Sequence, residues 1–380
     1  MLHPHQAFRR VVGVVAIMAV GALAGCSAEG SAGEDGSYGE IADRIAEYAA
    51  SVAEKAQVPA VAIGIITDDG LVEQRHIGSN AAGDPVTSET MFEIGSSSKA
   101  FLGATEAILV DRGDIDWNDR VVDHYPNFAM NDPWVTEEFR IADLLAQRSG
   151  LHASAAELTY FFGFPWADSV DALGYLEPVS SFRSEFANQN IPHYIAGEIV
   201  ADKTGAASWN EAVGPLLFDR LEMTSTGTDV DTISRAQDTT RGHTTAEGQL
   251  RESPYFGGEP QGAGSIVSNL SDMSKWIGMH LAGGGGPRGE VVSTDALEET
   301  YRVRVPVIDP YYSEQMGMGA GRRDIGYATG WFVHSLPEGR VIEHGGNTYG
   351  YNSAVMFDAD RGVGLVVLSN QGSDGGQATH

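Results

Sequence analysis

Residues Met91–Gly103 read MFEIGSSSKAFLG, and the centre of that phrase, GSSSKAF from Gly95 to Phe101, has two readings. It is either the solvated start of a helix or a reactive pair formed by Ser96 and Lys99. A helix beginning at Ser96 puts both side chains on one face, a turn apart. The serine then sits at the positive end of the helix dipole, where developing negative charge is favoured. A lysine in a partly buried cleft loses proton affinity and can take the serine proton, the Ser–Lys form of nucleophilic catalysis. The placement is informative because the 380 residues contain only four lysines, Lys55, Lys99, Lys203 and Lys275.

Outward from that phrase the chain changes texture twice. Before it, apolar residues at Ile41, Ile45, Tyr48, Ala49 and Val52 predict an amphipathic helix over Tyr38–Lys55. PAVAIGIIT, the turn at Asp68–Gly70 and LVEQRHIG then predict a β-hairpin. After Ser96 the pattern is helical: KAFLGATEAILVDRG and RIADLLAQRSG each end in a glycine stop signal. HYIAGEIVADKTG, WNEAVGPLLFDRL and LSDMSKWIGMHLAGG continue the helical run. Strands return in GYATGWFVH, GRVIEHG, YNSAVMFD and VGLVVLSN. No internal repeat is present. Both chain ends are thus expected to build one antiparallel sheet flanked by helices, with an all-helical lobe over about residues 100–315 inserted beside it. A cleft between two lobes is a natural binding site.

The composition is that of a globular protein, 42% hydrophobic and 20% charged. With 24 Lys+Arg against 52 Asp+Glu the net charge is −28, which repels phosphate backbones, so no nucleic-acid partner is expected. Residues 1–25 read as a signal peptide: Arg9 and Arg10 precede an apolar run of 15 residues, Val11 to Gly25. At about 1.5 Å per residue that run is short for a hydrocarbon core of roughly 30 Å. It ends in LAGC, with Cys26 the only cysteine. That ending resembles the lipobox of bacterial lipoproteins, which implies lipidation at Cys26, a membrane anchor and an extracytoplasmic location. Residues 26–37, small and polar, read as a flexible tether, and residues 38–371 as a single domain.

Several chemistries are absent from the sequence. It has no GxSxG, HExxH or P-loop, and one cysteine cannot supply thiolate zinc ligands, so neither metal nor cofactor is expected. His152, His193, His243 and His344 lack metal-like spacing and read first as packed or surface histidines. What remains is the Ser96–Lys99 phrase. MFEIGSSSKAFLG resembles the active-site segment of the β-lactamase-related serine hydrolases, which include class C β-lactamases, D-Ala-D-Ala carboxypeptidases and related esterases. The likeness continues in order through IADLLAQRSGLH (Ile141–His152), QGAGSIVSNLSDMSKW (Gln261–Trp276) and HGGNTYGYNSAVMFDADRGVGLVVLSN (His344–Asn370). His344-Gly345-Gly346 stands where the family has Lys-Thr-Gly or His-x-Gly, expected on an edge strand.

The resemblance implies a β-lactamase/transpeptidase-like α/β fold and a set of roles. Ser96 attacks a carbonyl, Lys99 activates it, and the N–H groups of Ser96 and Asn347 form an oxyanion hole. His344, Gly345 and Gly346 bind substrate along their strand. In FANQNIPHYIAGEIVADKTG, Asn190 matches the asparagine of the family's Tyr-x-Asn motif, while Asn188 occupies the tyrosine position and faces the substrate. The literal match, YPN at Tyr125–Asn127, comes too early in the chain and reads as a loop. An amide cannot relay a proton, and a lost general acid/base typically lowers rate by about 10²–10⁴. Tyr160, Tyr194 and Tyr349 are candidates to reach the site instead. The implied function is an anchored hydrolase of an amide or ester (a β-lactam, a D-amino peptide or a small ester), acting through an acyl-enzyme. The alternative is an impaired relative that binds a peptide or cell-wall fragment in the same cleft. After Asn370 the residues QGSDGGQATH show no helical pattern where the family has a helix, so one sheet face is expected to be less covered.

Overall fold

Strand Ala60–Thr67 (β1) is buried along almost its whole length, and its period-two alternation sends side chains into two different cores. Ala60, Ala62 and Ile66 join the main core, whereas Val61, Ile63 and Ile65 join a second one. That second core lies under the amphipathic helix Asp35–Ala56 (α1), whose Ile41, Ile45, Ala49 and Val52 are buried there. The computed structural model describes residues 35–246, 248–253, 261–308, 324–336 and 339–372. The apolar leader, Cys26 and the residues up to 34 lie outside the described residues.

The hairpin partner Gly70–Gly78 (β2) pairs with β1. The remaining sheet strands come from late in the chain: Val305–Pro306 (β3), Asp324–Tyr327 (β4), Phe332–Leu336 (β5), Gly339–Asn347 (β6), Asn352–Asp358 (β7) and Val363–Ser369 (β8). They form one 8-stranded antiparallel sheet in the order β2-β1-β8-β7-β6-β5-β4-β3. The two chain ends meet where β1 pairs with β8, from Val61↔Ser369 to Thr67↔Val363. The face expected to be thinly covered is closed by α1, beneath which Val341, Met356, Val363, Leu365 and Val367 are buried.

Between β2 and β3 most of the regular structure is helical, but the segment is not the all-helical lobe expected, since His243–Ala246 pairs with Gln249–Glu252 as a small hairpin. Ser98–Arg112 (α2), Ile191–Thr204 (α3) and Leu270–Leu281 (α4) are its longest helices. Gly113 and Gly205 end the first two in the left-handed conformation, as their positions in the sequence predict. Two helical readings need correction. RIADLLAQRSG forms only a short helix, Ile141–Leu145, which stops well before Gly150 because Gln147 turns left-handed (φ 57°). WNEAVGPLLFDRL is broken after Val213 into a wider π turn at Gly214–Phe218, because Pro215 has no N–H for the helical ladder.

The strand carrying His344 is also not an edge strand. β6 lies inside the sheet between β5 and β7, but its ladder with β5 ends at Phe332↔Glu343. His344–Asn347 therefore run past the end of β5 while still pairing with β7, which opens that stretch toward the helical layer.

Candidate active site

Phe92 and Glu93 pair with Val267 and Ser268, and Ile94 donates to the Ile266 carbonyl, so the chain reaches Gly95 already anchored. Gly95–Ser97 form a 3₁₀ turn and α2 begins at Ser98, slightly later than the sequence predicts. In a 3₁₀ turn side chains three apart eclipse, which sets Ser96 over Lys99. Ser97, Ser98 and Lys99 are buried and only Ser96 is partly exposed. Lys99 Nζ lies 2.9 Å from Ser96 Oγ and donates to the Ala263 carbonyl, also at 2.9 Å. The QGAGS segment thus supplies the acceptor that fixes the amine.

The open end of β6 packs on this turn. Ser353 donates to the Ile94 carbonyl at 2.7 Å, and Ser97 Oγ lies 2.8 Å from Ser353 Oγ and donates to the His344 carbonyl at 3.3 Å. Gly95 is left-handed (φ 50°), and a β-carbon there would stand 2.8 Å from the Asn347 nitrogen. A β-carbon on Gly346 would stand 1.7 Å from the Ile94 carbonyl oxygen. Gly346 is therefore required by packing against the serine turn. Gly345 and Asn347 face outward on the alternate positions, and the Asn347 amide lies beside the turn that bears Ser96.

His344 also departs from its predicted role, because its ring is buried and engaged at both nitrogens. Nδ1 bonds the Gly345 carbonyl at 2.7 Å, and Nε2 lies 3.1 Å from the Tyr327 hydroxyl. Burial, and then the Lys99 charge, lower its pKa to about 3. A neutral ring donating from Nδ1 and accepting at Nε2 satisfies both contacts. Its side chain is thus a buried neutral prop between strands β4 and β6 rather than a substrate contact.

Gln189 lies at the centre of the second motif. Ser149 donates to its side-chain oxygen at 2.7 Å, and its nitrogen donates to the Leu151 and His152 carbonyls at 3.1 and 2.9 Å. Asn188 is half-buried, and its side-chain oxygen accepts from Gln147 Nε2 at 3.1 Å. Asn190 stands at the start of α3, where its N–H donates to Glu157 Oε1 at 2.7 Å, while its own Oδ1 is buried without a partner. Tyr160 and Tyr194 both stack on Trp166, and Tyr194, raised to about 12 by burial and by Glu198, stands beside Tyr125.

Three residues join the site without a sequence signal. Glu157, 9% exposed, is raised by burial, with the Asn190 N–H and Lys99 opposing. His193 is fully buried and pushed well below the ordinary histidine range by burial, then by Lys99 and His344, and its Nε2 has no partner. Tyr327 supplies the phenol that holds His344. Glu157 and Tyr327 stand at no fixed spacing from a motif, whereas His193 follows Asn190 by three residues on the helix that Asn190 caps.

A large antiparallel sheet flanked by helices, with its serine turn lodged against the open end of an inner strand, is the β-lactamase/transpeptidase-like fold. The sequence matches the Beta-lactamase family over residues 41–379, and the chain belongs to that family. Its relatives include the unguisins hydrolase ungD' of Aspergillus campestris, 22% identical over 86% of this chain, and protein flp of Staphylococcus aureus, 22% identical over 84%. The chain spans 61% of the length of each. Among solved structures, the octameric penicillin-binding protein homologue from Pyrococcus abyssi superposes with a TM-score of 0.73 at 21% identity, covering 85% of this chain and 72% of that one.

Proposed function

We propose that this chain is a serine hydrolase that cleaves an ester or amide through an acyl-enzyme on Ser96. The observation that carries the reading is the buried Lys99 amine held 2.9 Å from the one partly exposed serine of its run. Ser96 Oγ bonds to the substrate carbonyl carbon as its proton passes to Lys99. The negative oxygen that results is met by the N–H groups of Ser96 and Asn347, and Lys99 returns the proton to the leaving group. Water then hydrolyses the acyl-serine. The LAGC sequence at Leu23–Cys26 supports a lipid anchor and an extracytoplasmic location for this activity.

Two features favour an ester over a β-lactam or a peptide ending in a free carboxylate. His344 is neutral, so the third motif offers no cation to grip a carboxylate. Asn188 carries no transferable proton, and an ester leaving group needs less protonation than an amine. A panel of aryl and alkyl esters, peptides and a chromogenic β-lactam, assayed on wild type and Ser96→Ala, tests the reading. It predicts ester turnover that Ser96→Ala abolishes. The Asn188 substitution also favours a second reading, a cleft that binds a peptide or cell-wall fragment without turnover; binding by a wild type that hydrolyses nothing in the panel would establish it.

A further inference from the structure

We propose that Gln147 clamps the Asn188 side chain with its oxygen turned inward, so that residue 188 offers the substrate a fixed N–H donor that stabilises an alkoxide leaving group. The inference rests on the reading of Ser96 as nucleophile and deepens it by naming a substrate class, an alkyl ester. The orientation follows from one donor whose identity is certain. The backbone N–H of Gln189 can only donate, and it lies 2.7 Å from Gln147 Oε1, so that atom is the carbonyl oxygen of the side-chain amide. The other end of the same amide is Nε2, a donor, which lies 3.1 Å from Asn188 Oδ1. What remains of Asn188 is Nδ2. It has no partner among the described residues and is not sealed in the interior, so its two N–H groups are open to a ligand.

Gln147 is itself firmly held. Its side chain is buried, and its carbonyl accepts the Ala187 N–H at 2.8 Å. It is left-handed (φ 57°) without being glycine, a conformation that costs about 1–3 kcal/mol and persists only where the surroundings impose it. One residue thus binds Ala187, Asn188 and Gln189 in turn. Contacts carry this segment to the reactive serine. Phe186 packs on Tyr327 and Phe332, with ring centroids 5.0 and 5.6 Å away. Tyr327 holds His344, whose carbonyl accepts from Ser97, the neighbour of Ser96.

The chemistry of that donor decides what it favours. When the tetrahedral adduct on Ser96 collapses, the bond from the carbonyl carbon to the leaving oxygen breaks, and its electron pair stays on that oxygen. An N–H directed at the oxygen lowers the energy of the new charge without giving up a proton, as an asparagine does in an oxyanion hole. Lys99, carrying the serine proton, then protonates the alkoxide and returns to the free amine. The leaving oxygen of an ester has lone pairs to accept the Asn188 bond. The nitrogen of an amide must take a full proton before it can depart, and a carboxamide has none to transfer. Asn188 therefore touches the substrate, and Gln147 is a positioning residue that acts through it.

The dependence of rate on the leaving group tests this. A nitrophenolate leaves unaided and an alkoxide does not, so acetate esters of p-nitrophenol, phenol, trifluoroethanol and ethanol are assayed on the full-length protein by kcat/KM, which reports acylation. At about pH 8 Asn188→Asp is ionised, keeping an oxygen for Gln147 Nε2 but no N–H for the substrate. Asn188→Leu has neither group, and it serves alone should the aspartate variant fail to fold. Both should lower kcat/KM for the ethyl ester about tenfold to a hundredfold and for the nitrophenyl ester by less than about threefold, which steepens the plot against leaving-group acidity. Gln147→Met frees the Asn188 amide to turn and should steepen the plot in the same sense, by less. A structural role alone would lower the whole series in parallel; a parallel loss or an unchanged slope overturns the proposal. The orientation is also read without turnover, from nitrogen-15 side-chain amide resonances assigned by their loss in Asn188→Asp and Gln147→Met. The Asn188 N–H pair should exchange with water fast and the Gln147 pair slowly, and the reverse order overturns the clamp. The nucleophile reading fails separately, through turnover that survives Ser96→Ala or is absent from wild type, and the exchange rates still decide which way Asn188 faces.

Discussion

At the scale of single residues, the amine–serine contact and the neutral His344 decide the chemistry. Replacing Lys99 by Met removes the proton acceptor and should lower ester kcat by about 10²–10⁴ while thermal stability, followed by circular dichroism, rises or holds, because a buried amine gives way to an apolar chain. Asn188→Tyr gives up the Gln147 bond and adds a phenol at the motif position. It should raise amide turnover relative to ester turnover by at least about tenfold; an unchanged ratio would show that residue 188 does not serve the leaving group. Ser96, Lys99 and Asn347 were legible as a cluster in the sequence because each belongs to a short phrase with fixed spacing. Glu157 and Tyr327 were not, because each comes from elsewhere in the fold, a loop and a neighbouring strand, and His193, three residues after Asn190, read only as a packed or surface histidine. His344 was legible as a position, but its role was not, since burial and the Tyr327 hydroxyl decide it.

At the scale of elements, the outcome turns on how the serine turn meets the end of β6. Gly345 and Gly346 look alike in sequence, yet a β-carbon on Gly346 collides with the Ile94 carbonyl oxygen, and one on Gly345 makes only an ordinary 3.6 Å contact with the Ser353 carbonyl. Gly346→Ala should therefore destabilise the protein by about 3 kcal/mol or more and abolish activity with it. Gly345→Ala should fold with stability within about 1 kcal/mol of wild type. Equal melting temperatures for the two variants would contradict the packing described. The same interlock explains why the edge-strand reading failed. The sequence marks β6 as a strand but not its register against β5, and only that register reveals an inner strand with one open end. Periodicity foretold α1, α2, α4 and the last three strands, whereas GYATGWFVH, read as one strand, divides into β4 and β5 around a turn at Ala328–Trp331, and the Ile141 helix ends early on the backbone conformation of Gln147.

Over the whole molecule, buried titratable groups govern how the fold responds to acid. His280 packs among Trp276, Trp331 and Phe357, bonds the Tyr301 hydroxyl, and has its pKa lowered by burial to about 3. Unfolded, it titrates near 6.5, so between those values the unfolded chain binds the extra proton. The stability its neutral form contributes is complete above about pH 6.5 and is lost as pH falls toward 3, by up to about 1.4 kcal/mol per unit. Buried Glu106, raised well above the carboxylate range by burial, acts in the opposite sense, so the informative quantity is a difference. Between pH 7 and pH 5, His280→Phe should lose less stability than wild type in chemical denaturation; parallel losses would contradict a neutral buried His280. The proposed anchor belongs to the same scale: Cys26→Ser should release the protein from bacterial membranes, and equal membrane retention of the variant would rule out lipidation as the tether.

The central claim, that Ser96 is a nucleophile activated by Lys99, is tested most directly by intact-mass spectrometry after exposure to a fluorophosphonate. The account predicts one covalent adduct on wild type, mapped by peptide fragmentation to Ser96, much slower labelling of Lys99→Met and none of Ser96→Ala. An unlabelled wild type, or an adduct of the same mass and rate on Ser96→Ala, would contradict it.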